Sequence, residues 1–203
     1  PARAEIEAGH ETGAILKLTA FLRDNPGSAL VDEAKYLRGR AYLASKDRVL
    51  AADDFQRVLS DYPQSRFATE SSYYLAVCYD ELSRPSQLDQ DWTEKAIGAY
   101  RGFVTRYPDR AEAETARARI KALECRLGKK AYENGVLYLR MNAREAARVY
   151  FKKSIEDYPE CEWACRSLVG LGETDLKSRR WADAIENLQK VAGICADRKL
   201  QER

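Results

Sequence analysis

Four segments of the chain close in the same way: Arg23-Asp24-Asn25-Pro26, Ser60-Asp61-Tyr62-Pro63, Thr105-Arg106-Tyr107-Pro108 and Glu156-Asp157-Tyr158-Pro159. Each proline ends an amphipathic run that carries an alanine twelve residues earlier, at Ala14, Ala51, Ala96 and Ala147. The same count places a fifth marker at Ala184, with Ala196 where the proline would stand. Proline cannot continue a helix, because its ring removes an N–H donor and clashes with the preceding turn. A small residue at a fixed distance before each stop lets two helix backbones approach. Such a chain is a series of helix pairs, each of which buries its apolar face only against a neighbour.

This pattern is the signature of tetratricopeptide (TPR) units and predicts an all-α, TPR-type helical-hairpin solenoid. The frame gives five repeats, approximately 1–26, 29–63, 66–108, 110–159 and 161–196, the first truncated, in one continuous domain over 1–203. In the second repeat Gly39, Ala41 and Ala51 stand where the backbones approach, and Tyr42 and Phe55 fill the space between them. Helical spacing puts Leu37, Ala41 and Ala44 on one face and Ala51, Phe55, Val58 and Leu59 on another. The fourth repeat offers Gly135, Tyr138, Ala147 and Phe151 in the same places. In the fifth, Leu171, Gly172, Ala184, Ile185, Leu188 and Val191 are expected to form the core, with Trp181 at the entrance of the second helix.

Two spacings depart from the 37-residue period that separates Pro26 from Pro63 and Pro159 from Ala196. Pro63 and Pro108 are 45 apart, and the excess falls in Ser83–Trp92, whose Pro85 and polar residues predict a loop. Thr93, or Asp91 before it, is the expected N-cap of the following helix. Pro108 and Pro159 are 51 apart, an excess of fourteen residues that amounts to nearly four helical turns. Ala111–Arg126 is rich in Ala, Glu, Arg and Leu and lacks proline and glycine, so the fourth repeat should begin with an elongated helix from about Arg110 toward Arg140. Gly128 is the place where it would bend.

Composition limits function more by exclusion. With 34 basic and 32 acidic residues the net charge is +2, which gives no field suited to nucleic acid. No apolar run approaches the ~18–20 residues of a membrane span. In the repeat frame Ala2 takes the eighth position of its unit, so a preceding N-terminal segment, with a targeting signal, is expected. His10 lies in a Gly-His-Glu-Thr-Gly turn with no nucleophile paired to it, and the carboxylates are spread over helix faces, so no enzyme, cofactor or catalytic residue is expected.

Five cysteines, Cys78, Cys125, Cys161, Cys165 and Cys195, are too few and odd in number for a disulfide-built fold. Cys161 or Cys165 can reach Cys195 across the antiparallel helices of the fifth repeat; buried or idle thiols are the other reading. Two cysteines one helical turn apart make an incomplete zinc site, so no metal is expected.

The first helix of each TPR pair lines an inner face. In this frame that face takes Glu33, Tyr36, Arg40 and Leu43, then Glu70, Tyr73, Val77 and Asp80. Later repeats supply Lys129, Tyr132, Val136 and Leu139, then Arg166, Val169, Glu173 and Leu176. Tyrosine offers a flat apolar face with a polar tip at small entropic cost. Tyr36, Arg40, Leu43, Tyr73, Val77 and Asp80 are therefore the expected peptide-binding groove, with Arg40 placed to meet a terminal carboxylate. Packing against the next repeat, or a solvated face, is the alternative for each. Arg140, Arg144, Arg148 and Lys152 recur at four-residue steps and form the expected basic docking patch.

The order Asp91, Ala96, Tyr100, Phe103, Arg106-Tyr107-Pro108, Ala116, Arg119-Ile120, Leu123, Arg126-Leu127, Tyr138-Leu139-Arg140 and Asp157-Tyr158-Pro159, together with the two insertions, resembles the BamD (ComL/YfiO) family of outer-membrane β-barrel assembly lipoproteins. The resemblance implies a lipid-anchored scaffold on the periplasmic face of the outer membrane of a Gram-negative bacterium. It also implies the partners: unfolded outer-membrane proteins at the N-terminal repeats, a barrel-bearing BamA-like subunit at the C-terminal ones, and accessory lipoproteins. The lipid-bearing cysteine is not in this sequence, there are more cysteines than the family leads one to expect, and Asn142-Ala143-Arg144 stands where a glycine turn is usual. A cell-division adaptor of the Tol-Pal type and a cytosolic co-chaperone are the competing readings.

Overall fold

The computed structural model describes residues 2–201, with the side chains of 2, 3, 7, 192–194 and 196–201 outside the description. These residues form ten α-helices and no strand. In chain order they are α1 (Ala2–Glu7), α2 (Glu11–Asp24), α3 (Val31–Ala44), α4 (Arg48–Asp61), α5 (Ala68–Leu82), α6 (Asp91–Arg106), α7 (Glu112–Arg140), α8 (Arg144–Asp157), α9 (Glu162–Lys177) and α10 (Trp181–Gln201). They pair as the proline frame requires, and α7 is the long helix, with 29 residues. Ala196 lies on α10, but its side chain is outside the described residues.

The stops work through the residue before each proline. A proline disfavours helical backbone in its predecessor. Asn25, Tyr62, Tyr107 and Tyr158 leave the helix at φ −133°, −132°, −132° and −132°. Within the hairpins the reversal sits five residues before the marker alanine, at Gly9 (φ 74°), Lys46 (68°), Asn142 (60°) and Arg179 (58°). All four take the left-handed conformation, which glycine adopts freely and asparagine tolerates. Asn142 thus performs the glycine's task. In the third repeat the loop after Leu82 replaces this turn.

The chain divides into two compact units, Pro1–Arg84 with Gln90–Ile120, and Pro85–Asp89 with Lys121–Arg203. In the first unit α2 packs on α3, α3 on α4, α4 on α5 and α5 on α6. Its core gathers Tyr36, Phe55, Val58, Phe67, Leu75 and Cys78. A Cβ on Gly39 would stand 2.9 Å from the Phe55 ring, so that position admits little beyond hydrogen. Ala44, expected in this core, is exposed at the end of α3. Gln90, not Asp91 or Thr93, is the N-cap of α6; buried Thr93 donates its hydroxyl to Gln90 Oε1 at 2.8 Å. Gly13 belongs to the first turn of α2, not to a connector.

In the second unit α8 packs on α9 and α9 on α10. Phe151 is fully buried, and a Cβ on Gly135 or Gly170 would meet its ring at 2.6 and 2.7 Å. Gly128 serves a close approach as well, because a Cβ there would lie 3.1 Å from Tyr158 Cβ. Segment Pro85–Asp89 is fastened to α7: buried Ser86 donates to Glu133 Oε2 at 2.7 Å, and Lys130 Nζ donates to the Leu88 carbonyl at 2.6 Å. Two disulfides join Cys125 to Cys161 and Cys165 to Cys195, while Cys78 in the first unit is free and buried. Ile185 and Leu188, expected in the fifth core, are 58% and 38% exposed. Leu188 nevertheless packs on α9, since a Cβ on Gly172 would stand 2.7 Å from its side chain, so the expected close approach of Gly172 and Leu188 is present.

Candidate peptide-binding cleft

Helices α3 and α5 of the first unit border a cleft of about 470 Å³, lined by Tyr36, Leu37, Arg40, Arg66, Phe67 and Glu70, with Ile6 from α1. Its wall is aromatic. The Tyr36 and Phe67 rings stack at 4.8 Å with an interplanar angle of 18°. Arg40 Nη1 donates to the Tyr36 hydroxyl at 3.1 Å, and the Arg40 guanidinium lies 4.5 Å from the Tyr74 ring centre. Arg66 covers Phe67 at 4.6 Å and pairs with Glu33 at 2.8 Å. Burial pushes the Tyr74 hydroxyl above its usual range, against the pull of Arg40. Apolar rings flanked by two guanidinium groups suit an extended peptide that has aromatic side chains and a carboxylate.

The six expected groove residues do not act as one set. Tyr36 and Arg40 line the cleft, with Tyr36 only 8% exposed and mainly supporting its wall. Leu43 is half-buried against the core around Phe55, and Val77 is half-buried. Tyr73 lies in a smaller recess beside Phe103, ring centres 5.3 Å apart. Asp80 is not free to bind a ligand: it is buried, takes two hydrogen bonds of 2.7 Å from Arg119, and accepts the Tyr100 hydroxyl at 3.2 Å. Burial and that carboxylate push the Tyr100 hydroxyl far up.

The expected basic patch in the second unit also separates. Arg140 is exposed and lines a cleft of about 300 Å³ with Tyr132, Val136, Leu139, Arg166 and Val169. Arg144 donates to the Lys177 carbonyl and to Asn142 Oδ1. Arg148 is buried and paired with Asp175, which has no exposure, and with Asp183 at 3.4 Å, so its charge is spent inside the fold. Exposed Lys152 shares a cleft of about 370 Å³ with Glu156, Asp183 and Glu186, which offset it. Arg140 and Lys152 are the two of the four that are exposed.

Sequence reasoning missed Phe67 and Arg66, which lie just before α5 and outside the inner-face positions. The buried pairs Arg38–Asp54 and Arg148–Asp175 were missed as well. His10 is exposed at the start of α2 and lines none of these clefts. Among the described residues no group of three or more His, Cys, Asp or Glu could hold a metal, and no helix is long and apolar enough to cross a membrane.

Paired helices, with a proline twelve residues after the marker alanine in four of the five pairs, define a TPR-type helical-hairpin solenoid. The profile of the YfiO outer membrane lipoproteins matches residues 40–174, and the outer membrane protein assembly factor BamD of Caulobacter vibrioides is 30% identical over 171 residues, 84% of this chain and 56% of the relative. The chain belongs to this YfiO (BamD) family, and it spans about half the length of that relative. Membership puts the protein on the periplasmic face of the outer membrane of a Gram-negative bacterium. Two disulfides accord with an oxidising compartment. Among solved structures, the P58(IPK) TPR domain aligns over 97% of this chain and 50% of its own, with 18% identity and a TM-score of 0.50. A TPR protein from Parabacteroides merdae aligns over 95% and 76%, with 15% identity and a TM-score of 0.46.

Proposed function

We propose that the protein is a non-enzymatic scaffold and receptor in outer-membrane β-barrel assembly. Its α3/α5 cleft takes targeting segments of unfolded outer-membrane proteins in extended form, and its second unit docks a barrel-bearing, BamA-like subunit. Family membership supports the setting, and one observation carries the peptide role: Arg40 and Arg66 flank the stacked Tyr36–Phe67 wall of an open cleft. Affinity should be modest, since ordering an extended peptide offsets part of the contact energy.

Tyr36→Ala is a poor probe, because removing a buried ring opens a cavity. Arg40→Met keeps the packed stem and deletes the charge. A fluorescent peptide with an aromatic C-terminal residue should bind wild type saturably and bind Arg40→Met about ten-fold more weakly, the scale of one lost charge-assisted hydrogen bond. The amidated peptide should be weakened alike in wild type. Equal binding of acid and amide forms would remove the carboxylate from recognition, and absence of saturable binding would end the reading. For the docking arm, Arg140→Glu with Lys152→Glu should reduce recovery of the barrel-bearing subunit.

A further inference from the structure

The second unit rebuilds the aromatic cleft of the first from the same places in the repeat. Tyr132 stands fifteen residues before marker Ala147, as Tyr36 does before Ala51, and Phe151 stands four after its marker, as Phe55 does. The ring centres are 6.0 Å apart in the pair Tyr132 and Phe151, and 6.2 Å apart in Tyr36 and Phe55. Trp163 follows Pro159 by four residues, as Phe67 follows Pro63. Its ring meets Tyr132 at 5.4 Å, where Phe67 meets Tyr36 at 4.8 Å. A guanidinium covers each: Arg166 lies 4.5 Å from the Trp163 ring centre, and Arg66 4.6 Å from that of Phe67. The first helices α7 and α9 thus border a cleft of about 300 Å³ with the same aromatic wall.

Charge sets the two clefts apart. Eleven places before the marker, where Arg40 lines the first cleft, the second has Val136, so Val136, Leu139 and Val169 make an apolar floor. The cations stand at its two ends. Lys129 lies 5.3 Å from the Trp163 ring centre beside Arg166, while Arg140 and Lys177 hold the opposite end, where α7 and α9 finish. Among the described residues neither Arg140 nor Lys177 is paired with a carboxylate, and Arg166 meets Glu162 only at 3.7 Å, with both side chains exposed. Glu173 is the one acid among the lining residues described. Eleven residues of α7 separate Lys129 from Arg140, about 16 Å along the axis. About five residues of extended chain cover that distance, with alternate side chains on one face.

We infer that the α7/α9 cleft binds an extended acidic segment of an unfolded polypeptide, which lays an apolar side chain on the floor of Val136 and Val169 and sets a carboxylate at either end. Unpaired cations around an apolar floor select that chemistry. A cleft of about 300 Å³ takes side chains, not a helix roughly 10–12 Å across. The site stands whether or not the α3/α5 cleft is a receptor. It shares Arg140 with the docking arm but not Lys152, which lines a separate cleft.

The probe is an acetylated and amidated peptide, Gly-Asp-Ser-Phe-Ser-Asp-Gly, titrated by calorimetry; it has no terminal carboxylate for Arg40 to meet. Wild type should bind it saturably, and should bind the same peptide with lysine for both aspartates at least about ten-fold more weakly. Arg140→Met with Lys177→Met should weaken the acidic probe about five-fold, the scale of two exposed ion pairs. Circular dichroism should be unchanged, since both side chains are exposed. Glu173→Gln should tighten binding about two-fold, a gain that misfolding cannot produce. Excess of the peptide with an aromatic C-terminal residue should not displace the probe. Absence of saturable binding, equal affinity for the acidic and basic peptides, an unchanged double variant or displacement by that competitor would overturn the proposal. So would sedimentation of wild type as a dimer that Val169→Glu dissolves, because a second copy would then fill the cleft.

Discussion

Arg119 grips Asp80 with two donors, Nε to Oδ2 and Nη2 to Oδ1, each at 2.7 Å, and the two partners differ sharply in exposure: the Asp80 side chain is 7% exposed and that of Arg119 is 46%. The pair is therefore asymmetric in its cost. Arg119→Met leaves a buried carboxylate with the Tyr100 hydroxyl as its remaining donor and should destabilise the first unit by about 2–3 kcal/mol. Asp80→Asn leaves a guanidinium that water can reach and should cost about 1 kcal/mol. Urea unfolding of the two variants checks the order, and an equal or inverted order would refute it.

Reduction should weaken the second unit selectively. The bonds Cys125–Cys161 and Cys165–Cys195 span 36 and 30 residues. On the chain-entropy account each contributes about 3–4 kcal/mol. Hydrogen exchange after treatment with a phosphine reductant should accelerate in α8, α9 and α10 and remain slow in α3 to α5. Uniform acceleration along the chain would contradict this.

Alkaline pH should act mainly on the first unit. Burial, with the charge of Glu81 adding to it, pushes the Cys78 thiol from 9.0 up to about 12. Burial likewise raises the hydroxyls of Tyr73, Tyr74, Tyr79 and Tyr100. Groups raised on folding stabilise the native state fully below their unfolded values, and that contribution is lost as the unfolded chain ionises first. Stability should thus hold to about pH 9 and fall from there toward about pH 12. Cys78 should also resist iodoacetamide at pH 8 until the chain is unfolded. A stability curve flat above pH 9, or rapid native alkylation, would contradict it.

The repeat was legible because its signals are local. Proline stops a helix wherever it stands, and the small residues that meet Phe55 and Phe151 recur at countable distances. The 29-residue α7 followed from the 51-residue spacing together with the proline- and glycine-free, Ala-, Glu-, Arg- and Leu-rich run Ala111–Arg126. The buried ion pairs were not legible, because Asp54, Asp80 and Asp175 look like wet-face residues until a partner many positions away is brought beside them. Arg148 failed as a surface cation for this reason. Lys46 and Arg179 carried no turn signal, since nothing in a lysine or arginine announces a left-handed backbone. Ile185 and Leu188 stand at spacings that are buried in the other repeats, yet they are 58% and 38% exposed, which the spacing alone does not show.

Cys161 and Cys165, one at the N-cap of α9 and the other in its first turn, tie that helix to α7 on one side and to α10 on the other. Tension applied to α10 therefore travels to α7 through covalent links that bypass α8 altogether. A protease cutting after Lys152 or Lys153, both exposed on α8, would leave two fragments that separate only after a thiol is added.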